Sequence, residues 1–359
     1  MTNIVLIVAD ALSAFHLPCY GYDRDTAPFL TELAEDNTFY RYAYANAPWT
    51  LPSHASLFTG DLPSEHGCTT ENIYFEADSV VEDLQEEYTT VGFSNNPLLA
   101  SQGFDRGFDE FAGGKVIPLA YHGYDAFETV LRREQDGQYD GKQEKYTDFL
   151  QEVVRQRDLG SLAAAARFLY RTKLRGDDRF SFLTDSGAAA TNHLVQEELE
   201  DVDGDFFLFI NYMEPHEPYS PPDDLKGRWV DQVGGAEQWY REQGFLAKPD
   251  NIDTSIPADM QDAIRGFYDA EVHHLDRKIR ELHEYITGEF DDTVFIITAD
   301  HGENLNHNDL FGHHYGAWER LLRVPLIVAG EHIPDRTIDE PVPLQNIPGL
   351  LRGETGPEG

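Results

Sequence analysis

The chain has 359 residues, 41% of them hydrophobic, with 65 acidic against 27 basic side chains and a formal net charge of −38. That length suits one large core, or one core with a small subdomain, and so negative a field would repel nucleic acid and anionic lipid surfaces. No apolar run reaches the ~18 residues of a membrane span, and acid dispersed along an otherwise ordinary globular sequence suits work in high salt, where self-repulsion is screened.

The run "NIVLIVAD" (3–10) reads as a buried first strand. It has no basic flank and no small-residue cleavage site, so a signal peptide is not expected and a cytoplasmic location is. "TAPFLTELAEDN" (26–37) carries apolar residues at helical spacing. In "APWTLPSHASLFTG" (47–60), Pro52 suits a first helical turn and Gly60 the residue past the last. The spacing predicts a short helix with Thr50 at or just before its N-cap. Thr50 then has two readings: a simple cap, or a hydroxyl placed for chemistry beside free N–H groups and the positive end of the dipole.

Residues 112–185, with Gly, Asp and Gln clusters and the arginine-rich "AAAARFLYRTKLR", read as a helical insertion. Its basic residues face either an anionic ligand or neighbouring acids. "SGAAATNHLVQEELED" (186–201) and "MQDAIRGFYDAEVHHLDRKIRELHEYI" (260–286) are helical patterns, and "DFFLFINYM" (205–213) and "TVFIITAD" (293–300) are buried strands. Strands alternating with helices predict an α/β fold, a three-layer sandwich around a mostly parallel central sheet. The expected domain plan is a core over 1–330 carrying that insertion, with a short C-terminal remnant and tail over 331–359. The two cysteines, Cys19 and Cys68, are expected to be reduced structural thiols.

Ligands of open α/β sheets bind beyond the carboxyl ends of the strands. The first predicted strand ends in Asp10 and the third in Asp300-His301, while the second runs into "MEPHEPYSPP" with Glu214 and His216. Three strands delivering carboxylate or imidazole to one rim point to a metal or acid–base site.

"NIVLIVAD", "LPCYGYDRDTAPFLTELAEDN", "YANAPWTLPSHASLFTG", "PSEHG", "TADHGENL" and "LFGHHYGAWERLLRVPLIV" together resemble the sulfatase family of the alkaline phosphatase superfamily. The resemblance covers roughly residues 1–110 and 186–345. It implies a metal-dependent α/β hydrolase with Asp10, Thr50, Asp300 and His301 as metal ligands and Thr50 as nucleophile. It also implies that His216 contacts the scissile ester and that His313 faces the leaving group. His54 stands where relatives carry the arginine of a Pro-Ser-Arg motif, and joins the catalytic candidates. Two carboxylates, an imidazole and a hydroxyl suit one divalent ion, Ca²⁺, Mg²⁺ or Mn²⁺.

The departures are specific. Sulfatases place at position 50 a cysteine or serine that is oxidised to formylglycine, which threonine cannot become. Ala11 replaces a second early aspartate, no lysine-rich motif is recognisable near "FSNNPLLAS", and the C-terminal subdomain is short. The expected function is therefore a metal-dependent hydrolase or transferase of phosphate or sulfate esters, phosphate favoured. The substrate would be a small anionic ester, with a glycan or lipid headgroup as its larger forms. The alternative is a weak or inactive relative that binds an anionic glycan, a lipid headgroup or a protein.

Overall fold

The computed structural model describes residues 2–113, 148, 151–152, 155, 187–231, 233–243, 256–307, 310–313 and 316–353. The chain divides into two compact units, Met1–Lys115 with Leu183–Gly359, and Val116–Phe182. Most of the insertion expected over 112–185, including its arginine-rich segment, lies outside the described residues. Within the second unit, Arg155 Nε donates to the buried Glu152 at 2.7 Å.

In the larger unit the strands are β1 (Asn3–Ala9), β2 (Thr38–Tyr40), β3 (Ala43–Tyr44), β4 (Thr89–Ser94), β5 (Glu110–Gly113), β6 (Phe206–Tyr212), β7 (Thr293–Ala299), β8 (Asn304–His307), β9 (Leu310–Gly312), β10 (Arg323–Val324), β11 (Leu326–Ala329), β12 (Arg336–Ile338) and β13 (Val342–Pro343). Eight of them form one sheet in the order β12-β2-β11-β7-β1-β6-β4-β5. Only β11 runs antiparallel to its neighbours. The three strands predicted from continuous hydrophobicity, β7, β1 and β6, lie side by side at the centre. Every residue of β6 is buried, as a strand covered on both faces requires.

Register places the site. Ala9 of β1 lies opposite Ala299 of β7 and Tyr212 of β6. Asp10 and Asp300, the next residues, therefore leave the sheet at one level, and parallel β4 opens toward the same edge.

Helices complete the layers expected from the sequence. Helix α1 (Pro28–Asp36), the helix Ala188–Leu199 and the 32-residue helix Ala258–Glu289 form one packed group. Helix α2 (Thr50–Thr59) packs with residues 344–351 and 80–84 in another. The start of α1 shows how sequence-distant parts fix each other. Its N-cap is Ala27, which has no polar side chain, so Asp276 of the long helix accepts from Phe29 N–H at 3.1 Å and Leu30 N–H at 2.8 Å. Cys19 and Cys68 are both free, and no described helix is long and apolar enough to cross a membrane.

Candidate active site

Asp10, Asp300 and His301 are fully buried at the carboxyl ends of β1 and β7. Asp300 Oδ1 accepts from the backbone N–H of Ala11 at 3.1 Å and of His301 at 2.8 Å, while Oδ2 has no hydrogen-bond partner. Asp10 Oδ2 accepts from Asn96 Nδ2 at 2.8 Å, while Oδ1 has none. His301 Nδ1 lies 2.8 Å from the Gly302 carbonyl, which can only accept, so that nitrogen carries the proton and Nε2 is bare. Nε2 too is without a partner. These three orphan acceptors come within 4.8 Å of one another. Buried polar atoms are ordinarily paired, and three bare acceptors aimed at one point fit a divalent cation.

The electrostatics agree. Burial, then the neighbouring Asp300 carboxylate, pushes Asp10 up to about 6. Burial pushes Asp300 up to about 7 against the pull of its two N–H donors. Burial likewise holds His301 down at about 4, a neutral ring ready to act as a ligand. The loop around these groups is tightly built. A Cβ on Gly302 would lie 2.1 Å from the Arg320 carbonyl oxygen, so only glycine fits after His301. Ala11 has φ +62°, a left-handed conformation uncommon for a residue with a Cβ. Where relatives carry a second aspartate, Ala11 thus contributes its N–H to Asp300 and no side-chain ligand.

Helix α2 brings Thr50 to the same place, one position inside the expected cap. Trp49 is the N-cap, with extended backbone, and Thr50 is the first helical residue. Its hydroxyl is not the cap, since no side-chain cap bond is made at that end. Gly60 ends the helix as expected, at φ +84°, with its N–H donated to the Ser56 carbonyl. Thr50 Oγ1 lies 3.5 Å from Asn96 Nδ2, the same amide that holds Asp10. One turn along, His54 sets Nδ1 3.0 Å from the Thr50 carbonyl and 3.6 Å from Asp300 Oδ2. Its ring meets Phe58, Phe104 and Phe209 edge-on, and burial drives it down to about 3. It is a neutral prop where relatives have a cation.

The remaining histidines form a row. His313 lies 4.5 Å, ring to ring, from His301, and His216 lies 4.8 Å from His313. Behind His313, Nδ1 sits 3.3 Å from both oxygens of Glu303, which is buried and also accepts from Tyr219 Oη at 3.3 Å. Burial, then the nearby Glu217, raises Glu303 well above the carboxylate range. Glu214 goes elsewhere: its Oε1 accepts from Ala188 N–H at 2.9 Å, at the start of the helix Ala188–Leu199.

The structure thus brings Asp10, Thr50, His54, Asp300 and His301 together, with His313 and His216 alongside. Sequence reasoning missed Asn96, Glu303 and Tyr268, whose hydroxyl donates to the Ala11 carbonyl and accepts from Ser13 N–H. Asn96-Pro97 is a helix-start signature that could have marked the first. Glu303 follows Asp300 by three residues, and nothing local marks Tyr268.

A family model described as Sulfatase matches residues 2–349. The uncharacterized sulfatase YidJ of Escherichia coli (strain K12) is 21% identical over 364 residues, which cover 95% of this chain and 65% of YidJ, so the chain spans under two thirds of that relative. The phosphonate monoester hydrolase of Agrobacterium radiobacter shares the fold with a TM-score of 0.66 at 17% identity, over 99% of this chain and 73% of that one. The C-terminal periplasmic domain of the phosphoethanolamine transferase EptC of Campylobacter jejuni aligns with a TM-score of 0.59 at 12% identity, over 99% of this chain and 89% of that one. With the family model spanning nearly the whole chain, this chain belongs to the sulfatase family.

Proposed function

We propose that the chain is a metal-dependent hydrolase or transferase of phosphate or phosphonate esters, with Thr50 as its nucleophile. The observation that carries this is the meeting of three bare buried acceptors, on Asp10, Asp300 and His301, with a threonine hydroxyl at a helix N-terminus. Two carboxylate oxygens and an imidazole nitrogen suit Mg²⁺, Mn²⁺ or Ca²⁺, and tolerate Zn²⁺. When bound, such an ion supplies Lewis acidity that lowers the Thr50 pKa and neutralises charge on the transferring group.

The protein's own groups do the rest. Thr50 Oγ1 gives its proton to solvent and donates an electron pair to phosphorus in line with the leaving oxygen. That P–O bond breaks, and His313 or His216 gives the leaving oxygen a proton. The first backbone N–H groups of α2 face the non-bridging oxygens. Water, or an acceptor alcohol, then attacks the Thr50 ester, passing its proton to the histidine that gave one up, and Oγ1 departs and regains its proton from solvent. Glu303 behind His313 fixes the ring.

Threonine supports phosphorus over sulfur because it cannot become the aldehyde hydrate that expels sulfate by elimination. Two structural neighbours, a phosphonate monoester hydrolase and a phosphoethanolamine transferase, lie on the same side. The deciding experiment is turnover of matched aryl phosphate, phosphonate and sulfate esters by metal-loaded protein in high salt. Phosphorus esters turned over with a trapped Thr50 phosphoester are expected; no turnover of any ester by protein that holds metal would leave only the binding role.

A further inference from the structure

We propose that Asn96 is a positioning residue, which selects the oxygen of Asp10 left free for the cation and orients the Thr50 hydroxyl. This rests on the reading of Thr50 and the metal site given above. Asn96 leaves β4, which is two places from β1 in the sheet, and it is 3% exposed. Its amide orientation is not free. Oδ1 accepts from Leu98 N–H at 3.0 Å, capping the short helix Pro97–Ser101, so the NH₂ group must face the other way. There it donates to Asp10 Oδ2 at 2.8 Å and approaches Thr50 Oγ1 at 3.5 Å.

Each of those contacts has a consequence. Binding Oδ2 leaves Oδ1 of Asp10 as the bare atom facing His301 Nε2 and Asp300 Oδ2, and disfavours a two-oxygen grip on the cation by Asp10. The long contact to Thr50 is weak for a hydroxyl and strengthens as negative charge grows on Oγ1, because hydrogen bonds to ionised acceptors are shorter and roughly twice as strong. The amide is itself anchored. Asn96 N–H donates to Ser94 Oγ at 3.1 Å, and that hydroxyl lies 2.9 Å from Asn211 Oδ1 on β6. Asn96 thus ties three strand ends and α2 into one arrangement.

The test is Asn96→Ser. Serine caps a helix as well as asparagine, so the cap survives while both N–H donors are lost. Calorimetric affinity for Mn²⁺ in the absence of substrate is expected to fall about 10- to 100-fold, with kcat for a phosphate ester falling over the same range. KM should change little, the sign of an interaction felt mainly in the transition state. Unchanged Mn²⁺ affinity and kcat in the folded variant would overturn the proposal, as would a loss confined to melting temperature. If the serine variant fails to fold, Asn96→Thr keeps the cap and likewise lacks an N–H donor, and the same loss of kcat is expected. Wild-type protein that binds Mn²⁺ without turnover contradicts the catalytic reading alone, and the Mn²⁺ affinities then decide the role of Asn96. Wild-type protein that does neither overturns both.

Discussion

His301 holds Nε2 3.6 Å from Asp10 Oδ1, although its one proton is committed, through Nδ1, to the Gly302 carbonyl. A bare nitrogen lone pair therefore faces a carboxylate oxygen in a fully buried place. Only a proton on Asp10 or a cation between the two relieves that opposition.

The first prediction follows from this choice. A cation must displace whatever protons the site holds. With Asp300 raised to about 7 and Asp10 to about 6, Mn²⁺ affinity should increase from pH 5.5 to pH 8 and binding should release protons. Raised carboxylates mean that the metal-free fold holds those protons more tightly than the unfolded chain, so its stability falls as pH rises through about 6 to 7. His301, lowered to about 4, acts oppositely: stability is lost as pH falls below its ordinary 6.5 toward 4. Added metal should recover about 2.7 kcal/mol at 100 times its Kd. Calorimetry in two buffers of different protonation enthalpy checks it; affinity flat across that range would contradict the assignment.

A second prediction concerns His313, backed by Glu303. A general acid matters most when the leaving oxygen is basic. His313→Ala should cut turnover of an alkyl phosphate by about 10²- to 10⁴-fold, and of a nitrophenyl phosphate far less. Glu303→Gln should show a smaller loss with the same bias. Equal losses for both esters would show that His313 does not protonate the leaving group.

How much of this was legible beforehand depended on the range of the signal. Asp10, Asp300 and His301 end continuous hydrophobic runs, and such runs mark buried parallel strands, so both the layers and the rim could be read from local pattern. Thr50, expected at or just before the N-cap, is instead the first helical residue because the cap belongs to Trp49, whose extended backbone no side-chain rule foretells. Tyr268 and Asp276 sit on the long helix among other buried residues at the same spacing. Their partners, Ala11 and Phe29, lie about 250 positions away, and only tertiary packing creates those contacts. His54 joined the catalytic candidates by its place in the motif, yet burial among Phe58, Phe104 and Phe209 keeps it neutral.

A third prediction concerns salt. Ion pairs such as Arg41–Asp339, Arg280–Glu32 and Arg352–Asp83 lie at the surface and contribute about 0–1 kcal/mol each, a contribution that salt weakens. Against them stand 65 acids facing 27 basic groups, an excess of negative charge that leaves a formal net of −38. Repulsion should win. Raising ionic strength from 0.1 M to 1 M shortens the Debye length from about 10 Å to about 3 Å, and the melting temperature should rise. A melting temperature that falls or stays level would remove the high-salt reading.

The last prediction is about residue 50 and the element transferred. Thr50→Ala removes the oxygen that forms the covalent ester, so turnover of a phosphate ester should fall by several powers of ten. Mn²⁺ should still bind more weakly through Asp10, Asp300 and His301, whose orphan atoms remain. Thr50→Ser keeps a hydroxyl at the first position of α2 and should keep appreciable activity. Thr50→Cys separates the two chemistries. Only where that thiol is oxidised to formylglycine does a hydrated aldehyde form that can release sulfate by elimination. The converted variant should therefore gain sulfate-ester turnover relative to wild type, while the unconverted one should not. Mass spectrometry of the active-site peptide reports conversion, and paired aryl phosphate and sulfate assays report the preference. A wild type that prefers sulfates, or a fully active Thr50→Ala, would make Thr50 no more than the first residue of a helix.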